Sequence, residues 1–99
     1  MSGGYTVYPT EVESDLEEHR DVAEAVVLGV PDARFGESVV AAVRLQPGAD
    51  LTEEQLLRWA SQRMARYKAP RRIVFVDEMP LTGTRKVQRA KLVELFEHA

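Results

Sequence analysis

The chain has 99 residues, of which 44% are hydrophobic and none is cysteine. This length and composition predict one globular domain with a modest core, with little room for a deep pocket holding a nucleotide and a second substrate. The lack of cysteine excludes disulfides, thiolate metal ligands and a cysteine nucleophile.

No targeting or membrane segment is predicted. No apolar run approaches the roughly 20 residues that span a bilayer. The residues from Met1 to Tyr5 lack the basic flank and the apolar stretch of a signal peptide. A cytoplasmic protein is therefore expected.

The basic residues are concentrated in the second half of the chain, although the net charge is -3. Between Arg58 and Lys91 lie ten of the 13 basic residues and only two acids. This concentration predicts a face that meets an anionic partner such as a phosphate group. For each basic residue taken singly, a solvated helix surface is the alternative.

The first predicted element is a short amphipathic helix over residues 9–19, preceded by an extended segment. Pro9 suits the first turn of a helix, where its missing N–H costs nothing. Val12, Leu16 and His19 recur at helical spacing on one side. The acids of this helix are predicted to form a solvated face: Glu13, Asp15, Glu17 and Glu18.

Two strands are predicted next, over residues 23–30 and 38–45. Both are rich in small and β-branched residues. Neither alternates cleanly between apolar and polar residues, which predicts two central strands that are largely buried. The short connection over residues 31–37 favours antiparallel pairing of these strands.

A second helix is predicted from Thr52, which forms a capping-box pattern with Gln55, to about Arg66. The sequence Ala69-Pro70 ends it. Its core candidates are Leu56, Trp59, Ala60, Met64 and Tyr67.

A third strand over residues 72–76, a loop over 77–85 and a last helix over 87–97 complete the chain. Leu92, Leu95 and Phe96 lie on one side of that helix. The order predicts an α+β fold. Its small, mainly antiparallel sheet has about three strands plus the N-terminal extended segment, flanked by about three helices.

No self-sufficient active site or metal site is predicted. His19 and His98 lack a Ser/Asp partner pattern, and no metal-binding motif occurs. The sequence Gly83-Thr84-Arg85-Lys86 lacks the second glycine of a P-loop before the lysine and the Ser or Thr after it. Lys86 is left as a mobile point charge, suited to neutralising a carboxylate and a phosphate together.

Residues 80–89, Pro-Leu-Thr-Gly-Thr-Arg-Lys-Val-Gln-Arg, resemble the last signature of the adenylate-forming superfamily. This superfamily contains acyl- and aryl-CoA synthetases, luciferases and peptide-synthetase adenylation domains. Residues 2–13, 27–37 and 67–71 resemble three further motifs of the family, in the family's order. The resemblance covers essentially the whole chain, as a C-terminal lid domain. The sequence departs from the family pattern at Arg85, where glycine is usual, and at Thr6, where asparagine is common.

The resemblance implies a single lid domain over residues 1–99 of an ATP-dependent acid–CoA ligase, with a fatty acid as one candidate substrate. Lys86 would contact the substrate carboxylate and the nucleotide phosphate during adenylation. ATP, its magnesium ion and the acid would be bound mainly by an N-terminal adenylating domain that is absent from this sequence. The isolated domain is therefore expected to be inactive.

The resemblance further implies that the lid then rotates and presents its opposite face to CoA. The pantetheine arm would pass Ser2, Gly3, Gly4 and Tyr5. The CoA nucleotide would lie against other residues: Phe35, Tyr67, Lys68 and Arg71. By the same resemblance, a lysine acetyltransferase acting on Lys86 is a candidate partner, because acetylation removes the charge.

Three other functions remain open from the sequence. The chain could be a free-standing regulatory or interaction domain derived from the same fold, or an adenylation-domain lid that acts with a carrier protein. A nucleic-acid-binding module is disfavoured, because the chain is acidic overall and has no recognised DNA- or RNA-binding motif.

Overall fold

The computed structural model describes residues 8–33, 36–66 and 68–97, apart from the side chain of Asp32. These residues contain three helices and three strands. The elements in chain order are α1 (Pro9–Glu17), β1 (Val22–Asp32), β2 (Gly36–Leu45), α2 (Glu53–Arg63), β3 (Arg72–Phe75) and α3 (Arg89–Glu97). The predicted α+β fold is confirmed. The predicted N-terminal extended segment lies outside the described residues.

The sheet has the strand order β1-β2-β3 and is mixed rather than purely antiparallel. β1 and β2 pair antiparallel along their whole length, as predicted from their short connection. β3 pairs with β2 in parallel, with Arg72 beside Val40 and Phe75 beside Val43. This direction arises because the crossover through α2 returns the chain to the end of the sheet at which β2 begins.

Helices cover both faces of the sheet. The first core cluster joins one sheet face to α1 and α2, and includes Val12, Leu16, Val27, Leu56 and Ala60. The second core cluster joins the other face to α3, and consists of Val26, Leu28, Val40, Ala42, Met79, Leu92 and Phe96. Burial on both faces explains why neither long strand alternates between apolar and polar residues.

The prediction that both long strands are central is wrong for β1, which lies at an edge of the described sheet. The helix α1 covers this edge. The backbone N–H of Val27 donates to Glu13 Oε2 at 2.8 Å, and that of Ala25 donates to Glu17 Oε2 at 3.0 Å. These bonds satisfy amide groups that an edge strand would otherwise leave unpaired.

The same bonds correct the prediction of a solvated acidic face on α1. The side chain of Glu13 is only 16% exposed, and it bonds the edge of the sheet. The opposite edge is covered in a similar way, since the N–H of Ile73 donates to Glu53 Oε2 at 2.9 Å. Carboxylates at helices therefore cover both edges of the sheet.

The predicted capping box of α2 is confirmed. The N–H of Gln55 donates to Thr52 Oγ1 at 3.2 Å, and the N–H of Thr52 donates to Gln55 Oε1 at 3.0 Å. The helix ends at Arg63 rather than near Arg66, because the next residue, Met64, turns to an extended backbone. Leu56 and Ala60 are fully buried and Met64 is 9% exposed, as predicted for core residues, and Trp59 is partly buried.

The other helix ends differ from the predictions by two residues. α1 ends at Glu17 rather than at His19, and α3 begins at Arg89 rather than near residue 87. His19 follows α1 and packs edge-on against Trp59, with ring centroids 4.9 Å apart. Its Nδ1 accepts a hydrogen bond from the N–H of Asp21 at 3.0 Å, which gives this histidine a structural role.

In the described ranges, no helix has the length and apolar character needed to cross a membrane.

Candidate functional site

Lys86 lies directly after the loop of a tight hairpin between β3 and α3. Leu81 and Val87 form an isolated antiparallel bridge at the base of the loop. Within it, the N–H of Thr82 donates to the carbonyl of Lys86 at 2.7 Å, and the N–H of Arg85 donates to the carbonyl of Thr82 at 2.8 Å. These bonds define a hairpin with a three-residue loop, 83–85.

Gln88 closes the base of the hairpin loop. The backbone N–H of Gln88 donates to the carbonyl of Pro80 at 2.8 Å. Its side-chain amide donates to the carbonyl of Leu81 at 2.8 Å. The loop is therefore a defined structure with an exposed tip.

Arg85 has a left-handed backbone, with φ of 65°. Three-residue hairpin loops commonly end on a residue in this conformation, which glycine adopts at no steric cost. The left-handed backbone at this position therefore explains why glycine is usual here in the family signature. Arg85 keeps the same backbone at a cost of order 1–3 kcal/mol.

Replacing Arg85 by glycine is expected to raise the free energy of unfolding by about 1 kcal/mol, because relief of left-handed strain exceeds the added entropy of the unfolded chain. Thr84→Gly is the matched control, since Thr84 has no positive φ. This control should lower the free energy of unfolding by about 1 kcal/mol. Urea unfolding measures both values. A loss of stability in Arg85→Gly would contradict the claim that the backbone of Arg85 is strained.

The hairpin loop borders a surface groove of about 490 Å³. The groove is lined by Glu24, Arg44, Asp77, Glu78, Met79, Leu81, Arg85 and Val87. Lys86 is exposed at this end of the sheet. Within the described part of the chain, no acidic side chain forms a salt bridge with its ammonium group. Its charge is thus accessible to a group outside this domain.

Lys68 and Arg71 lie at the other end of the sheet. The N–H of Arg71 donates to the carbonyl of Val39 at 2.8 Å. Arg44, beside the hairpin loop, lies five positions after Val39 along β2, which corresponds to about 17 Å. The structure therefore does not bring Lys86 together with Lys68 and Arg71.

The surroundings of these two cations differ. Arg71 is exposed and borders a second groove of about 450 Å³, lined by Val30, Pro31, Ser38, Val40, Arg71, Arg72, Phe96 and Glu97. The Lys68 side chain is only 24% exposed, and its ammonium group pairs with Glu11 of α1. Lys68 thus also links the segment before β3 to the start of α1.

The remaining predicted CoA contacts fall outside the described residues. These are Ser2, Gly3, Gly4, Tyr5, Phe35 and Tyr67. Their assignment stays a prediction.

The concentration of basic residues along the sequence does not correspond to one free cationic face. Arg58 pairs with Glu54, and Arg63 pairs with Glu18, the residue that follows α1. Arg72 donates to the carbonyl of Phe96 at 3.2 Å. Several members of the basic segment are therefore already paired within the domain.

Glu13 and Arg89 make contacts that the sequence did not predict. Arg89 Nη1 donates to the carbonyl of Val27 at 2.8 Å, and its Nη2 lies 3.5 Å from Glu13 Oε2. The start of α3 is therefore tied to the edge strand and to α1. The only sequence signal was the position of Arg89 in the last signature, because its partners are distant along the chain.

A mixed sheet lies between helices, and an exposed lysine lies on a structured loop at one end of it. The family of AMP-binding enzyme C-terminal domains matches residues 11–86, and the chain belongs to this family.

The curated relatives that the chain matches include acid–CoA ligases, and the chain spans a fifth or less of their length. It is 44% identical over 97 residues to "Medium-chain acyl-CoA ligase ACSF2, mitochondrial" of Danio rerio, covering 98% of the chain and 16% of that protein. It is 46% identical over 95 residues to "4-chlorobenzoate--CoA ligase" of Pseudomonas sp. (strain CBS-3), covering 95% of the chain and 18% of that protein.

Solved structures agree with the family. The crystal structure of ATP-bound MatB from Rhodopseudomonas palustris superposes with a TM-score of 0.89 at 38% identity. The superposition covers 97% of this chain and 19% of MatB.

Proposed function

We propose that this chain is the mobile C-terminal lid of an ATP-dependent acid–CoA ligase, in which Lys86 provides a positive charge for adenylation. Residues 1–99 would act as one domain beside a separate adenylating domain. The observation that supports this proposal best is the placement of Lys86 and Arg71 at opposite ends of the sheet. One end would serve adenylation and the other CoA, so the domain would turn between the two half-reactions.

The proposed role of Lys86 follows from the charges of adenylation. A carboxylate joins the α-phosphate of ATP and pyrophosphate leaves, so several negative oxygens gather in a small volume. A positioned ammonium group stabilises that charge, most strongly where water is excluded. Lys86 is exposed in the described chain, so this effect needs the surface of the adenylating domain. ATP, magnesium and the acid would be bound there.

The proposed CoA end rests on Arg71 and Lys68. Arg71 is an exposed residue that borders a groove of about 450 Å³, whose lining includes Phe96. A guanidinium group suits the phosphates of the CoA nucleotide. The other residues proposed to contact CoA are Ser2, Gly3, Gly4, Tyr5, Phe35 and Tyr67.

Two half-reactions measured separately test the proposal. Pyrophosphate release from ATP and acid reports adenylation, and thioester formation from supplied acyl-adenylate reports CoA transfer. We expect no ATP-dependent activity from the isolated chain, since no adenylating domain is present. We expect loss of both half-reactions when this domain is deleted from the complete enzyme. Turnover of ATP by the isolated chain would overturn the proposal.

The native polypeptide should be identified first, by immunodetection of this domain in extract of the source cells. A band at several times the 11.1 kDa of this chain provides the enzyme for the two assays. A band near 11.1 kDa would instead support a free-standing regulatory domain.

Acetylation of Lys86 is proposed as a means of regulation. Acetylation would remove the charge on which the proposed adenylation role depends. If an acetyltransferase acts on Lys86, mass spectrometry should detect acetyl-Lys86 in the native protein. Unchanged adenylation by the quantitatively acetylated enzyme would refute this form of regulation. The cytoplasmic location stays a prediction.

A further inference from the structure

We infer that Thr82 is the positioning residue for Lys86, a role that rests on the proposed function of this lysine. Both backbone polar groups of Lys86 bond to Thr82. The N–H of Lys86 donates to Thr82 Oγ1 at 3.1 Å. The carbonyl of Lys86 accepts from the N–H of Thr82 at 2.7 Å.

The hydroxyl group of Thr82 is needed because of the bulge at Arg85. The left-handed backbone of Arg85 directs two successive N–H groups, those of Arg85 and Lys86, towards one residue. The carbonyl of Thr82 accepts the first at 2.8 Å, and its side chain accepts the second. A side chain without a hydroxyl group would leave the N–H of Lys86 without this acceptor.

The same hydroxyl group organises the tip of the loop. Thr82 Oγ1 also accepts from the N–H of Thr84 at 3.3 Å and lies 2.9 Å from Thr84 Oγ1. Among the described residues, Thr84 forms no hydrogen bond with Lys86. Thr84 is therefore a control for the general effect of removing a loop hydroxyl group.

Backbone placement matters for Lys86 because its side chain is long and flexible. A lysine stem loses about 2 kcal/mol of rotamer freedom when it is held in one position. A backbone that also moves would add to that cost. Misplacement of a reacting group by 1 Å can lower a rate by about 10²-fold, so loss of the Thr82 hydroxyl group should affect the step that uses Lys86.

The test compares three variants in the complete enzyme that carries this domain. Thr82→Val keeps the shape of the side chain and removes the hydroxyl group, Thr82→Ser keeps the hydroxyl group, and Thr84→Val is the control. We expect Thr82→Val to lower the kcat of adenylation about 10- to 100-fold. Thioester formation from supplied acyl-adenylate should change less than about threefold. Thr82→Ser and Thr84→Val should keep adenylation within about threefold of the original enzyme.

The outcomes separate a positioning role from a merely structural one. Thr82 is exposed, so thermal unfolding of all three variants should stay within about 3 °C of the original protein. Equal loss of both half-reactions in Thr82→Val, or the same loss in Thr82→Ser, would overturn the inference.

The inference and the proposed function can fail separately. Unchanged adenylation in Thr82→Val, together with its loss in Lys86→Ala, would overturn the positioning role alone. Retained adenylation in Lys86→Ala would overturn the proposed function of the lysine.

Discussion

Lys86→Ala is expected to lower the rate of adenylation by about 10²- to 10³-fold in the complete enzyme, the effect of removing one group that stabilises transition-state charge. Thioester formation from supplied acyl-adenylate should remain within about threefold, because the proposed CoA site lies at the opposite end of the domain. Pyrophosphate release and thioester formation, assayed separately, measure the two effects.

Two further variants sharpen this result. Lys91→Ala removes another exposed basic residue of the same segment, and it should leave both half-reactions within about threefold because a solvated charge contributes little. Lys86→Arg keeps the charge, but its planar fork has a different geometry and should restore adenylation only in part. Equal loss of both half-reactions in Lys86→Ala would refute the assigned role.

Leu92→Ala is expected to lower the free energy of unfolding by about 2–5 kcal/mol, the usual cost of a cavity in a packed core. Leu92 is fully buried between α3 and the sheet, in the core cluster that contains Val26, Val40 and Phe96. The loss is a large fraction of the roughly 5–15 kcal/mol that stabilises a typical domain. Urea unfolding of the chain measures it.

Leu95→Ala is the matched control on the same helix. Leu95 is 40% exposed, although the sequence pattern placed it on one side with Leu92 and Phe96. Its replacement should change the free energy of unfolding by no more than about 0.5 kcal/mol. Similar losses in the two variants would contradict the orientation of α3 against the sheet.

The local elements follow from short-range chemistry in the sequence. Pro9 begins α1, and Thr52 with Gln55 begins α2, because these starts depend on backbone groups within a few residues. The antiparallel pairing of β1 with β2 follows from their short connection. The exposed loop that carries Lys86 was likewise predicted from its position between a strand and a helix.

Other features depend on residues that are far apart in the chain. In the sequence, Glu13 and Glu17 look like ordinary acidic residues of a helix. Only the position of β1 beside α1 shows that they accept hydrogen bonds from the edge of that strand. Arg89 meets Val27 across 62 positions of sequence. No local pattern predicts which of many charged residues finds a backbone partner at such a distance.

The sequence by itself therefore determined the family resemblance, the fold class, the starts of α1 and α2, and the candidate lysine. Only the tertiary structure decided that β3 runs parallel to β2, that Arg85 has a left-handed backbone, and that Lys86 and Arg71 lie at opposite ends of the sheet. The physical reason is that caps and turns form between neighbouring residues. Strand direction and the spacing of distant charges depend instead on how the helices pack on both faces of the sheet.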